Sequence, residues 1–278
     1  MSRNIKMFFI ILLIVIVSVV CSKIFFSQSL PSQRATYYGD VPKSKRLLLG
    51  FGDQISHEAN FGPSGRENDV KDYLAAGLDP DYCLKMYDGW QFRNPLMLFC
   101  SDFLLLSYYE KDYILPNYDV EVFNQLINAG ADINKYPYIW ANVYLHNDDM
   151  IRIFKRDHEN SENDVETFIP CYISDCNRSL KMFLEAGADV NRKGSPVPFE
   201  KNICEKISEA KIQEYFNSPD STSPIYEAIK KGMVWESQVD LLLEYGAILD
   251  ESCLDAAKLS GDEAMINKIK SLLELQGK

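Results

Sequence analysis

The chain is poor in the residues that enzymes work with. Histidine occurs three times in 278 residues, at His57, His146 and His158. None has the neighbour that would turn it into a base. No HExxH, GxSxG or phosphate-loop pattern occurs. Gly62, Pro63, Ser64 and Gly65 lack the spacing of a nucleophile elbow and read as a turn. Cysteine is sparse and unpatterned: seven residues, no CxxC and no histidine at ligand spacing, which argues against a metal site. The acidic stretch Asp157, Glu159, Glu162, Asp164 and Glu166 lacks the glycine and regular alternation of a calcium loop and reads as solvated. An excess of basic charge is missing too. Lys and Arg number 29 against 40 Asp and Glu, a net charge of −11, which excludes a phosphate-neutralising nucleic-acid binder. The expectation is a protein with no catalytic residues, no cofactor and no metal, whose partner is another protein.

Long apolar runs are also absent, with one exception. Arg3 and Lys6 precede an apolar run over residues 7–21 in which Ser18 is the one polar residue; Ile24, Phe25 and Phe26 resume it after Ser22 and Lys23. A spanning helix needs about 20 apolar residues and a signal-peptide core about 7–15. Three readings stand: an uncleaved signal anchor using residues 7–26, a signal peptide cleaved after Ser22, and a lipoprotein signal acylated at Cys21. Val20 sits where a lipobox wants a small residue. All three export the rest of the chain and leave the positive flank in the cytoplasm. The predicted organisation is a targeting segment (1–26), a Ser-, Gln-, Pro- and Lys-rich flexible linker (27–45) and one folded domain (46–278). In an exported protein Cys171 and Cys176 are candidates to pair; the alternative is that the cysteines are small buried hydrophobes.

What the folded part has is an internal repeat. The sequence SLKMFLEAGADVN, residues 179–191, reads as an amphipathic helix, a glycine stop and a polar turn. The same pattern ends at Gly77, Gly130, Gly187 and Gly246. Three and four residues before each glycine stand apolar pairs, such as Phe183 and Leu184. Four residues after stand Asp81, Asn134, Asn191 and Asp250. A glycine accepts the left-handed backbone that closes a helix. Helix starts recur as well: Ser223-Pro224 and Asn94-Pro95 place a capping side chain before a proline in the first turn. Pro137 and Pro170 read as openings of two further apolar helices, and residues 199–216 as an inserted helix.

These residues resemble the ankyrin repeat, whose unit is a turn, a short helix opened by a Thr/Ser-Pro step, a second helix and a Gly-Ala-Asp ending. Residues 223–250 match best, and Gly-Ala-Asp-x-Asn appears unbroken at 130–134 and 187–191. The histidine usual after Pro-Leu is absent, and the glycines stand 53, 57 and 59 residues apart rather than about 33. The resemblance implies an all-α, ankyrin-like solenoid of about five irregular repeats behind the membrane-targeting helix, with units at 66–80, 94–134, 137–155, 166–191 and 223–250 and a closing pair at 254–275. It implies a monomeric protein-binding module on the periplasmic side of a membrane, with turn tips and first helices as the binding face. The tip aromatics Tyr82, Tyr87, Trp90, Tyr136 and Tyr138 are the expected anchors, joined by Arg192 and Lys193. The alternative for the aromatics is that they cover core between repeats. By analogy of fold the module is an immunity-type inhibitor of a toxic effector; an envelope scaffold and a secreted host-directed effector remain open.

Overall fold

A computed structural model describes residues 58, 69–81, 84–85, 92–100, 118–146, 151–152, 155–156, 162–195 and 209–276. The predicted targeting segment, the linker, Tyr82, Tyr87 and Trp90 lie outside the described residues. The described chain is mostly helical. Among the described residues, strand is confined to a two-residue antiparallel ribbon, β1 (Leu84–Lys85) with β2 (Phe92–Arg93), and to a single bridge between Gly194 and Thr222. No helix among the described residues is long and apolar enough to cross a membrane.

In chain order the helices are α1 (Val70–Ala75), the 3-10 helix η1 (Leu96–Cys100), α2 (Tyr118–Asn128), α3 (Tyr138–Leu145), α4 (Glu162–Glu185) and α5 (Glu209–Phe216). Then follow α6 (Pro224–Lys230), the 3-10 turn η2 (Met233–Trp235), α7 (Glu236–Glu244), α8 (Glu251–Ser260) and α9 (Glu263–Gln276). They pack in two series. One runs η1, α3, α6, α8, each in contact with the next. The other runs α1, α2, α4, α7, α9. In it Phe123 meets Phe183 edge to face at 5.0 Å, and Lys268 reaches from α9 to Glu236 and Asp240 of α7. Each member of the first series also packs on one of the second: η1 on α2, α3 on α4, α6 on α7, α8 on α9.

The pairing follows from local chemistry. Asn94 accepts the Met97 N–H at 2.8 Å and starts η1; Ser223 accepts the Tyr226 N–H at 3.3 Å and starts α6, with Pro224 in the first turn where no N–H is needed. Gly77, Gly130, Gly187 and Gly246 all have φ between 81° and 97°. Each donates its N–H to the carbonyl three residues back, and the next residue donates five back, as Ala188 does to Phe183 at 3.0 Å. These paired bonds close the helices at the four repeated glycines. The apolar residues ahead of each stop face inward: Leu126, Phe183 and Leu242 are fully buried in one continuous core from Val70 to Ile269. Burying such a side chain stabilises the fold by about 1.5–3 kcal/mol.

Two boundaries differ from the sequence reading. Residues 137–155 and 166–191 are not two units: α3 and α4 pack on each other as one pair. Pro170 opens no helix but sits inside α4. A mid-helix proline forfeits one backbone bond, and the segment is held instead by Phe168, Tyr172 and Ile173, which are buried on either side of it. Of the helix predicted over 199–216, the described part is α5. Cys171 and Cys176 form no disulfide; one is exposed and the other buried on the same helix. Five residues apart on a helix, their side chains leave on different faces.

Candidate protein-binding surface

The four polar turns form a ladder. Within a turn, the aspartate two residues after the glycine accepts the N–H two residues further on: Asp79 from Asp81, Asp132 from Asn134, Asp189 from Asn191, each at 2.9 Å. Between turns, the residue four after the glycine reaches the next turn. Asn134 accepts the Asp189 N–H at 2.7 Å and donates to the Gly187 carbonyl at 3.1 Å. Asn191 does the same with the Ile248 N–H at 2.8 Å and the Gly246 carbonyl at 3.1 Å. Asp81 accepts the Asp132 N–H through both oxygens, at 3.2 and 3.0 Å, but a carboxylate has no N–H to donate. Desolvation there pushes its pKa up. Asp250, last in the register, caps α8 by accepting the Ser252 N–H at 2.9 Å. Bonds from Ser252 hold its pKa low.

Tyr136 and Tyr138 are not surface anchors. Each is 1 % exposed. Tyr138 stacks on Phe183 at 5.3 Å and its hydroxyl accepts from Asn94; burial pushes its pKa well up. Tyr136 packs edge-on against Tyr138 and against Phe216 of α5. The sequence pattern puts this aromatic bulk at the tip, next to a short helix start, but it fills the gap between helices where area is removed from water. Arg192 is also engaged inside the molecule. Its guanidinium donates to the Lys135 carbonyl at 3.1 Å and to Gln213 Oε1 at 3.3 Å. Gln213 donates to the same carbonyl at 3.0 Å. Arg192 therefore seats α5 on the turn rather than pointing at solvent. Lys193 is exposed, as expected of a tip residue. Pro95 and Pro224 are buried at their helix starts.

The excursion after α4 is tied at its base. Gly194 pairs with Thr222, and Trp140 donates from Nε1 to Thr222 Oγ1 at 2.9 Å. A Cβ on Gly194 would meet the Trp140 ring at 2.4 Å, so this glycine is required by close approach. Thr222 in turn donates to Glu227 Oε1 at 2.8 Å.

One tip residue escaped the sequence reading. Ile248 stands where the other turns carry Asp79, Asp132 and Asp189, and its side chain is 65 % exposed. The signal was the break itself: Gly-Ala-Ile in place of Gly-Ala-Asp. Beside it, Lys193 lies near enough to Asp250 to act on its charge. The exposed turns thus present Asp79, Asp132, Asp189, Lys193 and Ile248. Away from the turns, a shallow groove of about 450 Å³ runs between α4 and α7, lined by Asn177, Arg178, Lys181, Asp240 and Glu244. Among the described residues no three His, Cys, Asp or Glu side chains gather where a metal ion would sit. Comparison with protein families, with curated proteins and with solved structures returns no match to this chain.

Proposed function

We propose that residues 46–278 form an ankyrin-like solenoid of about five irregular repeats that acts as a non-catalytic protein-binding module. The observation that carries this reading is the ladder of Asp81, Asn134 and Asn191, which joins successive turns by side-chain to backbone bonds. A stack of similar units presents its turns as a continuous edge, and such edges serve repeat proteins as recognition surfaces. In the same reading residues 7–26 hold or deliver the module to the periplasmic side of a membrane, where it works as an immunity-type inhibitor of a toxic effector. The module needs no second copy to complete its ladder.

The exposed turns supply the contact residues, with Ile248 as the apolar centre and Lys193 beside it. Well-packed apolar anchors carry most binding energy at such surfaces. The test is capture from an envelope fraction with the full-length chain as bait. The expected result is a protein retained by wild type and lost with Ile248→Glu and Lys193→Glu, at unchanged melting temperature. Equal capture by wild type and both variants would remove the turn edge as the binding surface.

A further inference from the structure

A second group of buried apolar side chains stands apart from the main core. Ile151, Phe168, Tyr172, Ile173 and Cys176 surround Trp235, which is fully buried. α4 reaches this cluster through the stretch containing Pro170, which has no N–H to give to its own helix. Small satellite cores of this kind are natural units of local opening.

Lys231 lies between the two cores. Its ammonium donates to the carbonyls of Val143 and His146, at the C-terminal end of α3 where such carbonyls lack helical partners. It also lies 4.3 Å from the centre of the Trp235 ring and 3.4 Å from Gln238 Oε1. His146 is 3 % exposed and meets Tyr172 edge-on at 6.4 Å. Its Nδ1 and the Nε2 of Gln238 are buried without a hydrogen-bond partner. A neutral imidazole fits this place. A charged one would be a buried cation beside the half-buried ammonium of Lys231, with no carboxylate among the described residues acting on it.

We propose that this junction is an acid-sensitive latch: protonation of His146 beside Lys231 releases the Trp235 cluster and the 162–176 part of α4, while α8 and α9 stay folded. The groups around His146 are Lys231 at the end of α6 and Tyr172 of α4; the Cys176 thiol of α4 belongs to the adjoining Trp235 cluster. Trp235 of η2 and Gln238 of α7 are neutral, and Arg152, on the segment that brings Ile151 into the cluster, is exposed. Burial and the Lys231 charge hold the His146 pKa down to about 3. A released imidazole returns to its ordinary value, so the opened fraction rises about a hundredfold between about pH 7 and about pH 4.5.

Hydrogen exchange on the full-length chain, corrected for the intrinsic pH dependence of exchange, tests this. The expected result is loss of protection at about pH 4.5 confined to residues 162–176 and 233–238, with residues 251–276 unchanged. His146→Phe and His146→Asn, neither of which can take up the proton, are expected to remove the acid step. Uniform loss across all three segments in wild type, no acid step at all, or an acid step retained in a folded variant would each overturn the latch.

Discussion

The C-terminal helix pairs and the middle pair are built on the same turns but on different plans. From residue 223 to 276, α6 to α9 follow one another with short connections, and Ser223, Asp250 and Asp262 cap helix starts among them. In the middle pair, α4 runs 24 residues, carries a proline and overshoots into a second core. It is followed by the excursion that Gly194, Trp140 and Thr222 tie off. Yet Asn134 and Asn191 make the same two bonds to the next turn. The turn spacing at these steps is held by two hydrogen bonds each, and what lies between two turns is free to grow, because it leaves and returns at the same place. An insertion of this kind adds loop-closure entropy that rises only slowly with length.

The largest effect should come from the core common to both plans. Phe183→Ala removes contacts with Phe123 and Tyr138 and is expected to cost about 3–5 kcal/mol, seen in a urea melt. A variant as stable as wild type would mean the two series of helices do not share that core.

Acid should next distinguish the middle from the C-terminal pairs. His146 has a folded pKa of about 3, below its ordinary 6.5. The folded protein keeps it neutral, so its contribution is complete above about pH 6.5 and lost as pH falls through that value towards 3. Stability at about pH 4.5 is expected to be about 2.5 kcal/mol below that near neutrality from this group. His146→Phe should flatten that slope in denaturant melts taken across the range; an unchanged slope would place the proton uptake elsewhere.

Gly194→Ala puts a methyl group into the Trp140 ring and is expected to cost about 1–3 kcal/mol. The cost should fall on the excursion, read as a change in Trp140 fluorescence and faster proteolysis at 195–222. Rapid cleavage of 223–276 instead would show that the excursion supports the later pairs.

The finest comparison is between the turns themselves. Asn191→Asp keeps the bond from Ile248 N–H but loses the donation to the Gly246 carbonyl, and is expected to cost about 1 kcal/mol. The reverse change, Asp81→Asn, supplies the donation that Asp81 lacks and is expected to stabilise by about 0.5 kcal/mol. Both are read from melting curves, and changes of the same sign in the two variants would contradict the ladder.

Much of the fold was legible because its signals are local. The glycine stops, the Ser223 cap, the inward phase of Leu180, Phe183 and Leu184, and the alignment of Asp81, Asn134, Asn191 and Asp250 with their stops all act within one or two helical turns. The candidate surface was less legible. Tyr136 and Tyr138 read as tip aromatics, since nothing within ten residues of them in the chain reveals Phe183 or Phe216. Arg192 reads as a tip contact for a partner for the same reason, because its acceptors sit 57 and 21 residues away. Pro170 misled because proline opens helices more often than it is absorbed by them. Ile248 was visible only as a departure from the pattern its neighbours set.

By itself, then, the sequence determined where helices stop and which short polar side chains stand at the stops, since left-handed glycine and side-chain capping act over a few residues. It also determined which face of each helix is apolar. Tertiary structure alone decided that α3 and α4 are one pair, that Asn134 meets Gly187 and Asn191 meets Gly246, and that His146 is buried beside Lys231. The last three of these join residues 53 to 85 positions apart, and α3 meets α4 through pairs such as Asn142 and Ser179, 37 apart. Such contacts form where burial of whole helices outweighs the entropy of bringing them together, and no local pattern specifies that partner.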